Sequence, residues 1–313
     1  MQSEFIFPID DAPTAQCHAA TIAETPFGLV AAWFGGTEEK NADVNIWGAF
    51  NSGEGWSEPA RIAWDEKYPC WNPVLFQPND GPLMLFYKVG KNVRKWWGVV
   101  KTYEMGSGWS EPRKLGTDPK IGHLIGPAKN KPIQLADGSI LCGSSTQHDG
   151  WKVHFERSAD MGETWEVLPL DAGEYQAIQP APHTFGYGTV FATCRTRQGY
   201  IISLGGCLGK KPWIHREYLD GINSGLDALV LNDGRSFVAY NMRDGARKSR
   251  HCLRISFLGP DPDDDWEYTH IALEDGQPGE EFSYPSMIED RDGRIHVVYT
   301  WNRKTIKHVV LEV

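Results

Sequence analysis

Apolar residues come along this chain in short, strand-length runs, each introduced by a polar turn that ends in glycine. Residues 29–34 follow Pro26-Phe27-Gly28, 82–87 follow Asn79-Asp80-Gly81, 139–144 follow Ala136-Asp137-Gly138, and 189–195 follow Gly186-Tyr187-Gly188. Two more copies follow Asn232-Asp233-Gly234 and Arg291-Asp292-Gly293. Glycine is the residue that reaches positive φ without steric cost, so each motif reads as a tight turn feeding a β-strand. The turn glycines advance by 53, 57, 50, 46 and 59 residues, about one four-stranded sheet at a time.

A second element follows each of the first five copies by 25 to 32 residues: a polar, Gly-rich turn closed by Trp. Its fullest form is Ser158-Ala159-Asp160-Met161-Gly162-Glu163-Thr164-Trp165; worn copies end at Trp56 and Trp109, and weaker ones at Trp213 and Trp266. Such an Asp accepts backbone N–H bonds inside the turn, while the Trp packs between neighbouring sheets. Six radial repeats of this kind predict an all-β, six-bladed β-propeller over residues 1–313 as one domain. A β-sandwich array would share the alternation of turns and strands, but the regular count favours the propeller. The sixth copy has no Trp turn before Val313, so a strand around Phe5 to Phe7 is expected to return and complete the last blade, removing the free edges.

Composition narrows the function. With 41% apolar and 12% aromatic residues, 33 Gly, 20 Pro and 13 Trp, the chain suits many short strands. A net charge of −10 gives no basic surface for nucleic acid, and no apolar run is long enough to cross a bilayer. The first ten residues carry neither a basic segment nor an apolar stretch of signal-peptide kind, so a cytoplasmic protein is expected, with secretion after leader removal left open. The six Cys are widely spaced without a zinc pattern, and no cofactor or metal is expected. Asp261, Asp263, Asp264 and Asp265 lack the ligand spacing of a calcium loop and read as a solvated turn. A monomer or weak homo-oligomer is expected.

The sequence from Ser158 to Trp165 fits the S-x-D-x-G-x-T-W Asp box, and with the other Trp turns the chain resembles the sialidase (neuraminidase, BNR-repeat) superfamily along nearly its whole length. That resemblance implies a propeller with a Tyr nucleophile, an activating Glu, an acid/base Asp and three Arg around the axis. Tyr284, in Phe282-Ser283-Tyr284-Pro285, matches the Tyr. Asp43, in the loop after the first repeat's β-run, matches the Asp. Arg195 matches the second Arg and Arg250 the third, with Arg247 close behind. Two positions depart from the pattern: His18 stands where the first Arg is expected, and Gln179 where the Glu is expected. His cannot replace a guanidinium fork, and Gln cannot take a proton from tyrosine. The expected substrate is therefore a carbohydrate other than sialic acid.

Trp33, Glu38, Glu39, Trp71, Asn72, Lys88, Lys129, Lys131, His154, Asn223, Asp227 and Asn241 also flank the inner β-runs or the loops after them, and are expected around one mouth of the axis. Three functions compete. The first is an exo-acting glycoside hydrolase on an acidic or deoxy sugar, with Asp43, Glu38 or Glu39 as general acid and His18 or another carboxylate as base. The second is a lyase that takes the C5 proton of a uronic acid, with Tyr284 or His18 as base and Arg195 neutralising the carboxylate. The third is a glycan-binding propeller without catalysis.

Overall fold

In a computed structural model of the chain, described for residues 1–116, 125–185, 188–208, 210, 214–245, 249–258 and 270–312, six antiparallel sheets stand around a common axis. The first blade runs Gln16–Thr25, Gly28–Gly36, Asn45–Asn51 and Ala60–Ala63 from the axis outward, and the second Cys70–Phe76, Leu83–Val89, Trp97–Glu104 and Arg113–Lys114. In the third, the inner strand is only Ile133–Gln134, followed by Ile140–Thr146, Lys152–Ser158 and Glu166–Pro169. Ala177–His183, Thr189–Thr196, Tyr200–Cys207 and Ile214–Asp220 form the fourth; Asp227–Val230, Ser236–Asn241, Cys252–Leu258 and His270–Asp275 form the fifth. The sixth is Phe282–Glu289, Ile295–Trp301 and Thr305–Leu311, closed on its outer edge by Gln2–Phe5, which pairs antiparallel with Thr305–Leu311.

The closing strand thus lies a little earlier than the sequence suggests. Phe7 instead turns inward and stacks on Trp33 at 5.0 Å between centroids. Because each blade is sandwiched between two others, both of its faces must be apolar, and the alternation of strand residues sorts them. Val30, Ala32 and Phe34 face the second blade with Leu75 and Leu85, whereas Ala31 and Trp33 face the sixth with Val298 and Ile306. Each of the six interfaces has its own apolar cluster of this kind. A fully buried large side chain in such a cluster contributes on the order of 2 kcal/mol of transfer free energy.

The Trp turn at Ser158–Trp165 is built as its sequence implies. Asp160 accepts hydrogen bonds from the Thr164 N–H at 2.9 Å and from Ser158 Oγ at 2.8 Å. Met161 and Gly162 turn the chain at positive φ, and Trp165 donates to the Gly162 carbonyl while its ring meets Phe86 of the second blade edge-on. Trp56 fills the same role between the first and last blades, donating to Glu4 and standing edge-on to His308. Trp213, Trp266, Arg247, part of the Gly186-Tyr187-Gly188 turn and the Asp261–Asp265 stretch lie outside the described residues.

One deviation from regular strand geometry recurs on the axis. The inner strands of the first, second, fourth and sixth blades each carry a register shift, with Ala19, Asn72, Gln179 and Tyr284 at φ between +42° and +56°. A β-bulge re-aims the side chain at its position. For a bulky residue such as Tyr284 this conformation is costly by about 1–3 kcal/mol and must be held by its surroundings.

Candidate active site

Strands alternate in direction within a blade, so the connection entering each inner strand and the connection between second and third strands open on the same face. Tyr284 reaches that face from the start of an inner strand. Arg195 comes from the end of a second strand, Arg250 from just before a third strand, and Glu39 and Arg303 from the second connections of the first and last blades. Five separate stretches of chain thus converge on one mouth.

Tyr284 is at its centre. Its ring lies 5.6 Å from the Arg195 guanidinium carbon, 5.3 Å from that of Arg250 and 4.3 Å from the His18 ring. Space for the ring depends on Gly225, where a β-carbon would lie 2.8 Å from Tyr284 Cγ. Beneath it, the ammonium of Lys129 donates to the carbonyls of Leu226 and Pro285, pinning the backbone next to Tyr284; burial draws its pKa down to about 7. Burial also opposes ionisation of the Tyr284 phenol. The positive charges of Arg195 and Arg250 outweigh it, and its pKa falls below the ordinary tyrosine value, with the Glu39 carboxylate pulling the other way.

The most heavily bonded anion among the described residues of the mouth is Glu281, which the sequence does not single out. It accepts from Arg250 at 2.7 Å and from Ser283 at 2.7 Å on one oxygen, and from Arg303 at 2.9 Å on the other. Arg303 also pairs with Glu39 at 2.7 Å. Although burial raises it, the pKa of Glu281 falls to about 2 through His18, Arg250, Arg303 and Ser283. His18 is itself held neutral, well below its usual value by burial and by nearby Arg303, so at neutral pH the guanidiniums carry the effect.

The expected site residues divide between the mouth and elsewhere. His18 is buried, with Nδ1 2.9 Å from the Thr300 hydroxyl, and packs against Tyr284; a neutral ring of lowered basicity is poorly suited to act as a base. Asp43 is exposed and accepts from both the N–H and the hydroxyl of Thr37, which lowers its pKa and ties its carboxylate to its own loop. Glu38 is exposed on the same loop. Trp33 is wholly buried between blades, away from the mouth. Trp71 is buried too, donating to the Gly90 carbonyl and meeting Trp96 edge-on.

Asn72 braces the next blade through the Ala128 carbonyl. Asn241 donates to the carbonyls of Arg250, Cys252 and Phe282, fixing the segment that carries Arg250. Lys131 points to the other end of the axis. There it pairs with Asp227 and Ser286 at 2.8 Å and helps line a cavity of about 680 Å³ ringed by the turns of the opposite face, so it does not join Tyr284. His154 and Lys88 belong to a buried network around Glu156 and the Ile125–Gly126 backbone. Asn223 is exposed.

Gln179 stands at a bulge, and its carbonyl accepts from Asn130 Nδ2 at 2.8 Å. Asn130 Oδ1, Gln179 Oε1, Arg195 Nε and Ser224 Oγ are buried with no hydrogen-bond partner among the described residues. Trp151, from the connection between the second and third strands of the third blade, lies beside Arg195 and Arg197, 5.6 and 4.8 Å from their guanidinium carbons. Arg303 could have been found by aligning the loops after the last three β-runs, each of which carries Arg. Glu281 has no repeat-borne signal. Among the described residues no group of three or more His, Cys, Asp or Glu is arranged to hold a metal ion.

Comparison with known proteins agrees with this architecture. A family model described as a BNR repeat-like domain matches residues 28–297. No curated protein matches the chain by sequence. Among solved structures, a protein of unknown function from Dyadobacter fermentans superposes with a TM-score of 0.83 at 17% identity, over 100% of this chain and 98% of that one. The Hadza microbial sialidase Hz136 gives 0.77 at 12% identity over 100% and 68%. Trypanosoma rangeli sialidase in complex with the inhibitor DANA gives 0.72 at 11% identity, over 95% of this chain and 55% of that one. Likeness at such identity is a likeness of fold.

Proposed function

The chain belongs to the BNR repeat-like domain family, and from that premise we propose that it is a glycan-processing enzyme, an exo-acting glycoside hydrolase on an acidic or deoxy sugar, with Tyr284 as its reacting group. The observation that carries this reading is the buried Tyr284 phenol, set between Arg195 and Arg250 with its pKa lowered. An ionised phenol is a competent nucleophile, and here guanidiniums rather than a carboxylate promote ionisation. In the first step the phenolate oxygen bonds to the anomeric carbon as the glycosidic C–O bond breaks. The departing oxygen takes a proton from a carboxyl group of the first blade's loop, where Glu38 is exposed and Glu39 is tied to Arg303. Water then displaces the phenolate, returning a proton to that carboxylate.

The absence of a carboxyl at Gln179 favours a second reading, in which the same phenolate removes the C5 proton of a uronic acid and Arg195 neutralises the sugar carboxylate. Incubation of the protein with sialosides and with uronate-, rhamnose- and other deoxy-sugar-containing oligosaccharides separates the two. Reducing ends without ultraviolet absorbance, lost in Tyr284→Phe, support the hydrolase; an unsaturated, absorbing product supports the lyase. Binding without turnover would contradict both and leave a glycan-binding propeller.

A further inference from the structure

Two independent features of the mouth bear on what kind of sugar it accepts. The first is the state of its arginines. A planar carboxylate is recognised by guanidinium forks that offer paired, unused N–H donors. At this mouth such a carboxylate is already supplied by the protein: Glu281 spans Arg250 and Arg303 with one oxygen on each, and Ser283 adds a third hydrogen bond. Arg303 spends a further nitrogen on Glu39. A second carboxylate entering here finds the Arg250–Arg303 fork taken and meets Glu281 as a like charge.

The second feature is what stays unmatched. Asn130, Gln179, Arg195 and Ser224 are each at least nine-tenths buried. The amide oxygens of Asn130 and Gln179, the Arg195 Nε–H and the Ser224 hydroxyl lack partners among the described residues. Gln179 holds the same bulge position on the fourth inner strand that Tyr284 holds on the sixth. Asn130 bonds the Gln179 backbone, Arg195 flanks the Tyr284 ring, and Ser224 precedes Gly225, on which that ring rests. The Asn130 amide is oriented by its own donation to the Gln179 carbonyl, so its oxygen is the atom left over. Buried acceptors without donors are costly until something donates to them. Two amide oxygens ask for O–H donors, which sugar hydroxyls provide and a carboxylate does not.

We propose that the mouth selects a neutral, hydroxyl-bearing sugar and excludes carboxylates, with Glu281 acting as a built-in carboxylate across Arg250 and Arg303 and with Asn130 and Gln179 receiving the sugar's hydroxyl protons. This rests on the glycoside hydrolase reading and chooses its neutral, deoxy-sugar branch over the acidic one. Glu281 is a specificity-determining residue that acts by occupying the fork.

The test is an equilibrium titration of the intact protein with benzoate and with benzamide, its neutral isostere, in wild type, Glu281→Gln and Glu281→Ala. The emission of Trp151, beside Arg195, serves as the reporter. Wild type is expected to show no preference for benzoate, and Glu281→Ala at least a tenfold preference. Glu281→Gln, which keeps the shape of the side chain and serves if the alanine variant fails to fold, is expected to fall between them. A tenfold benzoate preference in wild type, or no gain in either variant, overturns the proposal. Turnover of aryl 6-deoxyhexosides and of matched aryl uronides by wild type is measured alongside, and a lower KM for the uronides also overturns it. Failure of the hydrolase reading registers separately, as glycoside turnover that is absent or insensitive to Tyr284→Phe, and leaves the benzoate result standing.

Discussion

Asp160 and Glu281 are carboxylates held at the same acidity by opposite means. Each has its pKa pulled down to about 2. Asp160, at the rim of the third blade, is fully exposed and owes its shift to hydrogen bonds from Thr164 and Ser158, all within its own eight-residue turn. Glu281, at the mouth, is largely withdrawn from water and owes its shift to groups from the first, fifth and sixth blades. A local motif of the first kind can be copied from blade to blade, and it builds the fold. A convergent arrangement of the second kind exists once, and it carries the chemistry.

The sharpest way to break this comparison is at the mouth. Tyr284→Phe removes the reacting oxygen and is expected to lower kcat on any glycoside the enzyme turns over by about 10³-fold or more, with little change in melting temperature. Gly225→Ala touches no charge, yet its methyl group would meet the Tyr284 ring at 2.8 Å. Displacing the phenol by roughly an ångström is expected to cost on the order of 10²-fold in kcat/KM, measured by steady-state kinetics.

Glu281→Gln affects stability as well as specificity. The depressed pKa of Glu281 contributes stability that is fully present above its unfolded value of about 4.5 and is lost as pH falls through about 2. Its size is on the order of 2–3 kcal/mol. Denaturant unfolding of wild type and variant is therefore expected to differ most at neutral pH and to converge between pH 4.5 and 2. The smallest effect belongs to Asp160→Ala, which is expected to lower the melting temperature by only a few degrees and leave turnover unaltered. A large loss of activity there would erase the distinction between rim and mouth.

The same contrast explains what could be read in the chain before its fold was known. The glycine turns and the Asp box are local chemistry, so the blade count and the return of the N-terminal strand to the sixth blade were legible, with an offset because Phe7 prefers the face of Trp33 to the sheet edge. Tyr284, Arg195 and Arg250 were legible through the resemblance of their surroundings to the sialidase pattern, and the structure brings them together. Trp33 was not, because both faces of a blade strand pack against neighbouring blades and strand parity only chooses which neighbour it meets. Lys131 lies close in sequence to Lys129 and Asn130, yet its ammonium reaches Asp227 toward the opposite cavity. Glu281 escaped because its partners Arg250 and Arg303 are 31 and 22 residues away and no repeat announces it.

The claim on which the rest depends is that Arg195 and Arg250 ready Tyr284 for reaction by favouring its ionised form. An ultraviolet difference titration between wild type and Tyr284→Phe isolates this phenol from the other tyrosines. The expected result is a single tyrosinate signal that develops below the ordinary tyrosine pKa of about 10 and is absent from the variant. A difference signal that rises only at or above that value would contradict it.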